Sequence, residues 1–133
     1  MGRNELENLL RLGQLKSEPA SATEIDTHLQ SGRDRLKDAS APGLSLSGRF
    51  LLGYSAAYAF SLAALRRHGF RPASRYVVFQ CLPHTLEVGP DVWRLLARAH
   101  DVRNGFEYEG SDEVTEDLGL QVIRCAEVLA RLS

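Results

Sequence analysis

From Phe50 to Leu65 the chain runs sixteen residues without a charge, and no other stretch constrains the fold as much. A helix that is apolar nearly all round belongs at the centre of a bundle, packed on several sides, or in a membrane. This run is interrupted by Gly53, Tyr54, Ser55, Tyr58 and Ser61, and it falls short of the roughly 20 residues that cross a bilayer. A central bundle helix is therefore expected over about Ser47 to His68, closed by Gly69. Arg66, Arg67 and His68 lie in its last turn, where cations suit the helix macrodipole.

The rest of the chain reads as shorter helices around that one. Leu6, Leu9, Leu10 and Gly13 recur at helical spacing in a first short amphipathic helix, and the stretch from Lys16 to Ala20, with Pro19, interrupts it. Residues 1–20 thus read as a short helix and a linker. Ser21 and Glu24 stand at capping-box spacing, so a second helix opens at Ser21. Ala41-Pro42-Gly43 breaks the chain before the central helix. Pro72 and Pro90 each suit the first position of a further helix, and Pro83 suits the end of the former. The run Tyr76-Val77-Val78-Phe79 is β-prone and makes that helix the weakest of the set. A last helix spans about Asp112 to Leu132, with Leu118, Val122, Cys125, Leu129 and Leu132 on one face. The expectation is a single all-α domain over residues 1–133, a four- to six-helix up-and-down bundle.

A chain of 133 residues, 44% hydrophobic and 25% charged, has the make-up of one ordinary domain. Its formal net charge of -1 excludes a global positive field that would draw nucleic acid or an anionic membrane, so contact with either must be local. Cys81 and Cys125, far apart in apolar helical stretches, read as reduced thiols. Cys81 and His84 have C-x-x-H spacing, but no second pair completes a set of four ligands, so neither metal nor cofactor is expected. Met1-Gly2-Arg3-Asn4-Glu5 carries no apolar h-region, and a cytoplasmic location is expected on that ground. No P-loop, Rossmann glycine pattern or Gly-x-Ser-x-Gly elbow occurs.

Polar chemistry gathers near the end of the helix that begins at Pro90. At 100° per residue, Val92, Leu95, Ala99, Val102 and Phe106 fall on the core side. His100, Arg103, Asn104, Glu107 and Tyr108 fall opposite. A cation, an amide, a carboxylate, a phenol and an imidazole on one rigid face suit a phosphate-contacting site. The plain alternative is a surface ion pair between Arg103 and Glu107, four residues apart. Gly105 in mid-helix costs about 1 kcal/mol against alanine and marks a bend or a close backbone approach. Trp93 and Leu96 project toward the same side, so a second surface must be covered by another helix or by a second subunit. Arg66, Arg67, His68, Arg71 and Arg75 form the one dense basic patch in the sequence, able to hold phosphates or simply to stabilise a helix end.

The order of helices, the alanine-rich central helix ending in Arg66-Arg67-His68-Gly69, and the segment Asp101-Val102-Arg103-Asn104-Gly105-Phe106-Glu107-Tyr108-Glu109-Gly110 together resemble the HEPN superfamily of helical nucleotide-binding domains. The resemblance covers roughly residues 20 to 132, and only the Arg-Asn segment is sharp. It implies a four- or five-helix bundle, usually a homodimer, often encoded beside a minimal nucleotidyltransferase in toxin–antitoxin or phage-defence systems. Many members are metal-independent ribonucleases whose motif is an arginine, commonly a polar residue next, then a histidine four to six positions on. Arg103 and Asn104 match the first two places. Tyr108 stands five positions after Arg103, where the histidine would be.

Tyrosine titrates near 10 and histidine near 6.5, so Tyr108 is a poor proton acceptor at neutral pH but a serviceable hydrogen-bond donor or stacking surface. The first expectation is therefore a nucleotide-, RNA- or nucleotidyltransferase-binding module that uses Arg103 and Asn104, with Glu107, Tyr108 and Arg67 as further ligand contacts. The alternative is an endoribonuclease in which Arg103 acts with Tyr108 or His100. A third reading is a structural helical adaptor without a ligand site.

Overall fold

The computed structural model describes residues 2–108 and 114–133, the side chains of residues 106–108 excepted. Among them are seven helices and one two-stranded sheet. In chain order these are α1 (Gly2–Arg11), β1 (Leu15–Ser17), α2 (Ala22–Asp38), α3 (Leu46–Arg67), β2 (Phe70–Pro72), α4 (Arg75–Gln80), α5 (Leu82–Thr85), α6 (Pro90–Tyr108) and α7 (Glu116–Leu132). The mainly helical expectation holds, with α4 and α5 as two short pieces where one helix was expected.

The uncharged run becomes α3, which packs against α2 and α7 along its length and touches α4, α5 and α6 besides. Phe50, Tyr54, Ala56, Ala57, Phe60, Ala63, Ala64 and Leu65 are all buried on it. No helix among the described residues is long and apolar enough to cross a membrane. The helices start where side-chain oxygens meet unpaired backbone donors: Ser21, Ser45, Ser74 and Thr115 each accept a bond from the amide three residues on. The last helix accordingly begins at Glu116; Asp112, where it was expected to start, lies outside the described residues. Its inner face carries Leu118, Val122, Cys125 and Leu129, whereas Leu132, the last residue of the helix, is exposed.

Three expectations are corrected. Pro72 does not open a helix. Gly69, at φ +87°, turns the chain out of α3, and Phe70–Pro72 pairs antiparallel with β1, Leu15 opposite Pro72 and Ser17 opposite Phe70. A proline at the last position of a two-stranded ribbon forfeits little, because only one side of each strand is paired. Residues 12–20 are not a simple linker: they contain β1, and Leu15 joins Leu6 in a second core cluster with Leu65, Phe70, Val77, Val78 and Cys81. Pro83 does not end the fourth helix either, since α4 stops at Gln80 and Pro83 sits in the first turn of α5. The β-prone residues Val77, Val78 and Phe79 are helical because all three are buried there, and burial outweighs local propensity.

Candidate functional site

On α6, burial of Leu96, Ala99 and Val102 sets the helix against the core and leaves His100, Arg103 and Asn104 at its margin. The three are not plain surface. All are partly buried, and His100 and Arg103 lie against Tyr54 of α3. The Arg103 guanidinium lies 5.6 Å from the centroid of the Tyr54 ring, and the His100 ring stacks beside that ring at 6.4 Å with an interplanar angle of 21°.

A chain of hydrogen bonds links them. Arg103 Nη1 donates to Asn104 Oδ1 at 3.3 Å, which turns the Asn104 amide nitrogen toward His100 Nε2, also at 3.3 Å. An amide nitrogen can only donate, so Nε2 must accept and the imidazole proton belongs on Nδ1. Nδ1 lies 3.0 Å from the Tyr54 hydroxyl, and its N–H donates to that oxygen. Burial lowers the His100 pKa below its usual value; Asp101 opposes this, while Arg103 and Arg75 add to it. A neutral imidazole with its acceptor lone pair engaged by Asn104 is the result. Burial also raises the Tyr54 pKa, against the pull of Arg75 and Arg103, so the phenol stays protonated.

Tyr58, one turn further along α3, carries the Arg75 guanidinium 4.4 Å above its ring. Tyr54, Tyr58, Arg75, His100, Arg103 and Asn104 thus form one aromatic and cationic cluster drawn from α3, α4 and α6. Sequence reasoning brought His100, Arg103 and Asn104 together but missed Tyr54, Tyr58 and Arg75 as their neighbours. The signal that could have found them was the pair of phenols, four residues apart, inside an otherwise apolar helix. The side chains of Glu107 and Tyr108 lie outside the described residues, and so does the expected Arg103–Glu107 pair. Arg67 is exposed at the C-terminal end of α3, thirteen residues from Tyr54 and so about 20 Å along the axis, away from Arg103.

The basic patch of the sequence is not one surface. Arg66 is buried at 2% exposure, ion-paired with Glu24 and Glu18 and bonded to the carbonyl oxygens of Glu18, Pro19 and Phe70. Arg71 pairs with Glu18, and His68 Nδ1 contacts the Ala64 carbonyl oxygen. The second covered face of α6 is also explained within the chain: the Trp93 ring meets Tyr76 of α4 edge-on at 6.4 Å, and Leu96 is fully buried. Cys81 and Cys125 are buried free thiols, their pKa values pushed up by burial to about 12 and about 11. No group of three or more metal-ligating side chains occurs among the described residues. Neither a family model nor a curated protein matches the sequence.

Proposed function

We propose that the chain is a HEPN-like helical module that holds a phosphate-bearing ligand, RNA or nucleotide, at Arg103 and Asn104. The observation that carries this is the Arg103–Asn104–His100–Tyr54 chain. It fixes a guanidinium, an amide and an aromatic face in one place at the edge of the bundle. Fixed donors lose little entropy on binding an anion, and a guanidinium suits a phosphate in two-point geometry. Tyr54 supports the arginine from beneath, so the charge is positioned without a long flexible stem reaching into solvent.

The proposal includes a homodimer, which would bring two copies of Arg103 to a shared cleft, and a minimal nucleotidyltransferase as protein partner in a toxin–antitoxin or defence setting. The test is fluorescence anisotropy with a short labelled RNA at fixed salt, on wild type and Arg103→Ala. Loss of a charge-assisted contact of about 1.5–3 kcal/mol weakens binding roughly ten- to a hundredfold. Equal affinities in two equally folded proteins would refute the site.

The neutral state of His100 favours a second reading, a metal-independent endoribonuclease. There the Asn104 amide turns away and Nε2 accepts the proton of a ribose 2′-hydroxyl. RNA cleavage in EDTA that disappears in His100→Gln supports it, and cleavage lost only in Tyr108→Phe assigns the proton transfer to the tyrosine. Intact RNA leaves binding as the function.

A further inference from the structure

A second polar cleft, which shares Tyr58 and Arg75 with the aromatic and cationic cluster, opens between α2, α3 and α4, with a volume of about 320 Å³. Its walls carry His28, Ser31 and Arg35 of α2, Ser55 and Tyr58 of α3, and Arg75 of α4. The spacing on α2 is i, i+3, i+7, which puts those three side chains in one row above the groove. Among the described residues no carboxylate lines the cleft.

The charges here are not consumed by neighbours. Arg35 and Arg75 make no ion pair among the described residues, in contrast to Arg66 and Arg71, which are paired with Glu18 and Glu24. Arg75 is held instead over the face of Tyr58 and donates a hydrogen bond to the neutral Tyr54 hydroxyl. The nearest acid along α2, Glu24, lies 3.5 Å from His28 Nε2 and is itself bonded to Arg66. Two guanidinium groups, hydroxyls from Ser31, Ser55 and Tyr58, and an imidazole therefore converge on a space whose described walls hold no counter-charge.

We infer that this cleft is a binding site for a small organic phosphate monoester, seated between Arg35 and Arg75 with the serine and tyrosine hydroxyls as further donors. A monoester is a dianion above pH about 6 and matches two guanidinium charges, whereas a phosphodiester brings only one. The volume lies at the lower end of the range of ligand pockets and suits a group the size of a sugar phosphate rather than a dinucleotide. The cleft shares Tyr58 and Arg75 with the α6 cluster but is not lined by Arg103, so the Arg103 variant tests the two sites separately.

The test is calorimetry and amide-resolved NMR at pH 7.5 and fixed ionic strength, with methyl phosphate and dimethyl phosphate as probes. Methyl phosphate should bind saturably, shift the amides of Ser31 and Ser55, and lose at least tenfold in affinity in Arg35→Gln. Arg35 is exposed, so that variant keeps its fold. Dimethyl phosphate should bind at least tenfold more weakly than methyl phosphate. Arg103→Ala should leave methyl phosphate affinity within twofold, which separates this cleft from the α6 cluster. Absence of saturable binding at millimolar probe, unchanged affinity in Arg35→Gln, or equal affinity for the diester would each overturn the assignment.

Discussion

Arg66 Nε donates to Glu24 Oε2 across 2.6 Å, joining the last turn of α3 to the first turn of α2. The same guanidinium takes up the carbonyl oxygens of Glu18, Pro19 and Phe70, so one buried cation satisfies the backbone at the junction of the ribbon and two helices. Arg66→Met keeps much of the volume but leaves those carbonyl groups without their donor. Because unpaired buried polar groups cost more than a made bond returns, a loss of about 3 kcal/mol is expected. Thermal unfolding should shift down by roughly 10 °C, and a shift under 2 °C would show that water replaces the guanidinium at little cost.

The partners of Arg66 and Arg71 set an acid limit. The Glu24 pKa is lowered chiefly by its hydrogen bond to Arg66, and the Glu18 pKa chiefly by its hydrogen bond to Arg71. Carboxylates whose folded pKa lies below the unfolded value contribute stability above about 4.5, and that stability is lost as pH falls through the lowered folded value. Melting temperature should therefore drop between pH 5 and pH 3, and Glu24→Gln should flatten that slope. A wild-type melting temperature constant from pH 6 to pH 3 contradicts the linkage.

His100 titrates in the opposite neighbourhood. Its folded pKa lies below 6.5 because of burial and of Arg103 and Arg75, so its neutral form contributes stability above pH 6.5 that is lost as pH falls toward the folded value. In NMR titration the His100 ring should show the Nδ1–H tautomer and a midpoint below 6.5. Arg103→Ala removes a positive neighbour and some of the burial, and both changes raise the midpoint. A midpoint that stays put in Arg103→Ala would mean the guanidinium is remote from the ring in solution.

Much of the architecture is legible from apolar spacing and caps. The Ser21 start, the Gly69 stop and the central place of the uncharged run all obey local rules, and the structure keeps them. The misplaced pieces are those decided by contacts distant in sequence. Leu15 pairs with Pro72 and shares a core with Leu65 and Val78, and no local signal in residues 12–20 announces a partner more than fifty positions away. The site divides in the same way. His100, Arg103 and Asn104 share a helix face and so are grouped by periodicity. Tyr54 and Arg75 reach them only because α3 and α4 pack beside α6. The basic patch misleads for a related reason: adjacency in sequence places Arg66 and Arg67 about 100° apart on a helix, one inside the core and the other in solvent.

Gly53 provides the sharpest test of how α3 meets α7. A Cβ built there would lie 2.9 Å from Ile123 Cγ1 and 3.4 Å from Val122 Cγ1, so the two helices approach as closely as they do because this position has no side chain. In an exposed helix, Gly→Ala would stabilise by about 1 kcal/mol through backbone entropy. Here the added methyl must displace Ile123 or push α7 away from a contact that buries Val122, Cys125 and Leu129. Overpacking of this kind costs about 1–3 kcal/mol and exceeds the propensity gain. Gly53→Ala should therefore lower the urea midpoint, and in an Ile123→Ala background, which lacks the clashing Cγ1, the same Gly53→Ala step should cost less than it does in the wild type. An increased midpoint in the single variant would mean that Ile123 rotates aside freely and that the close approach is not what fixes the helix spacing.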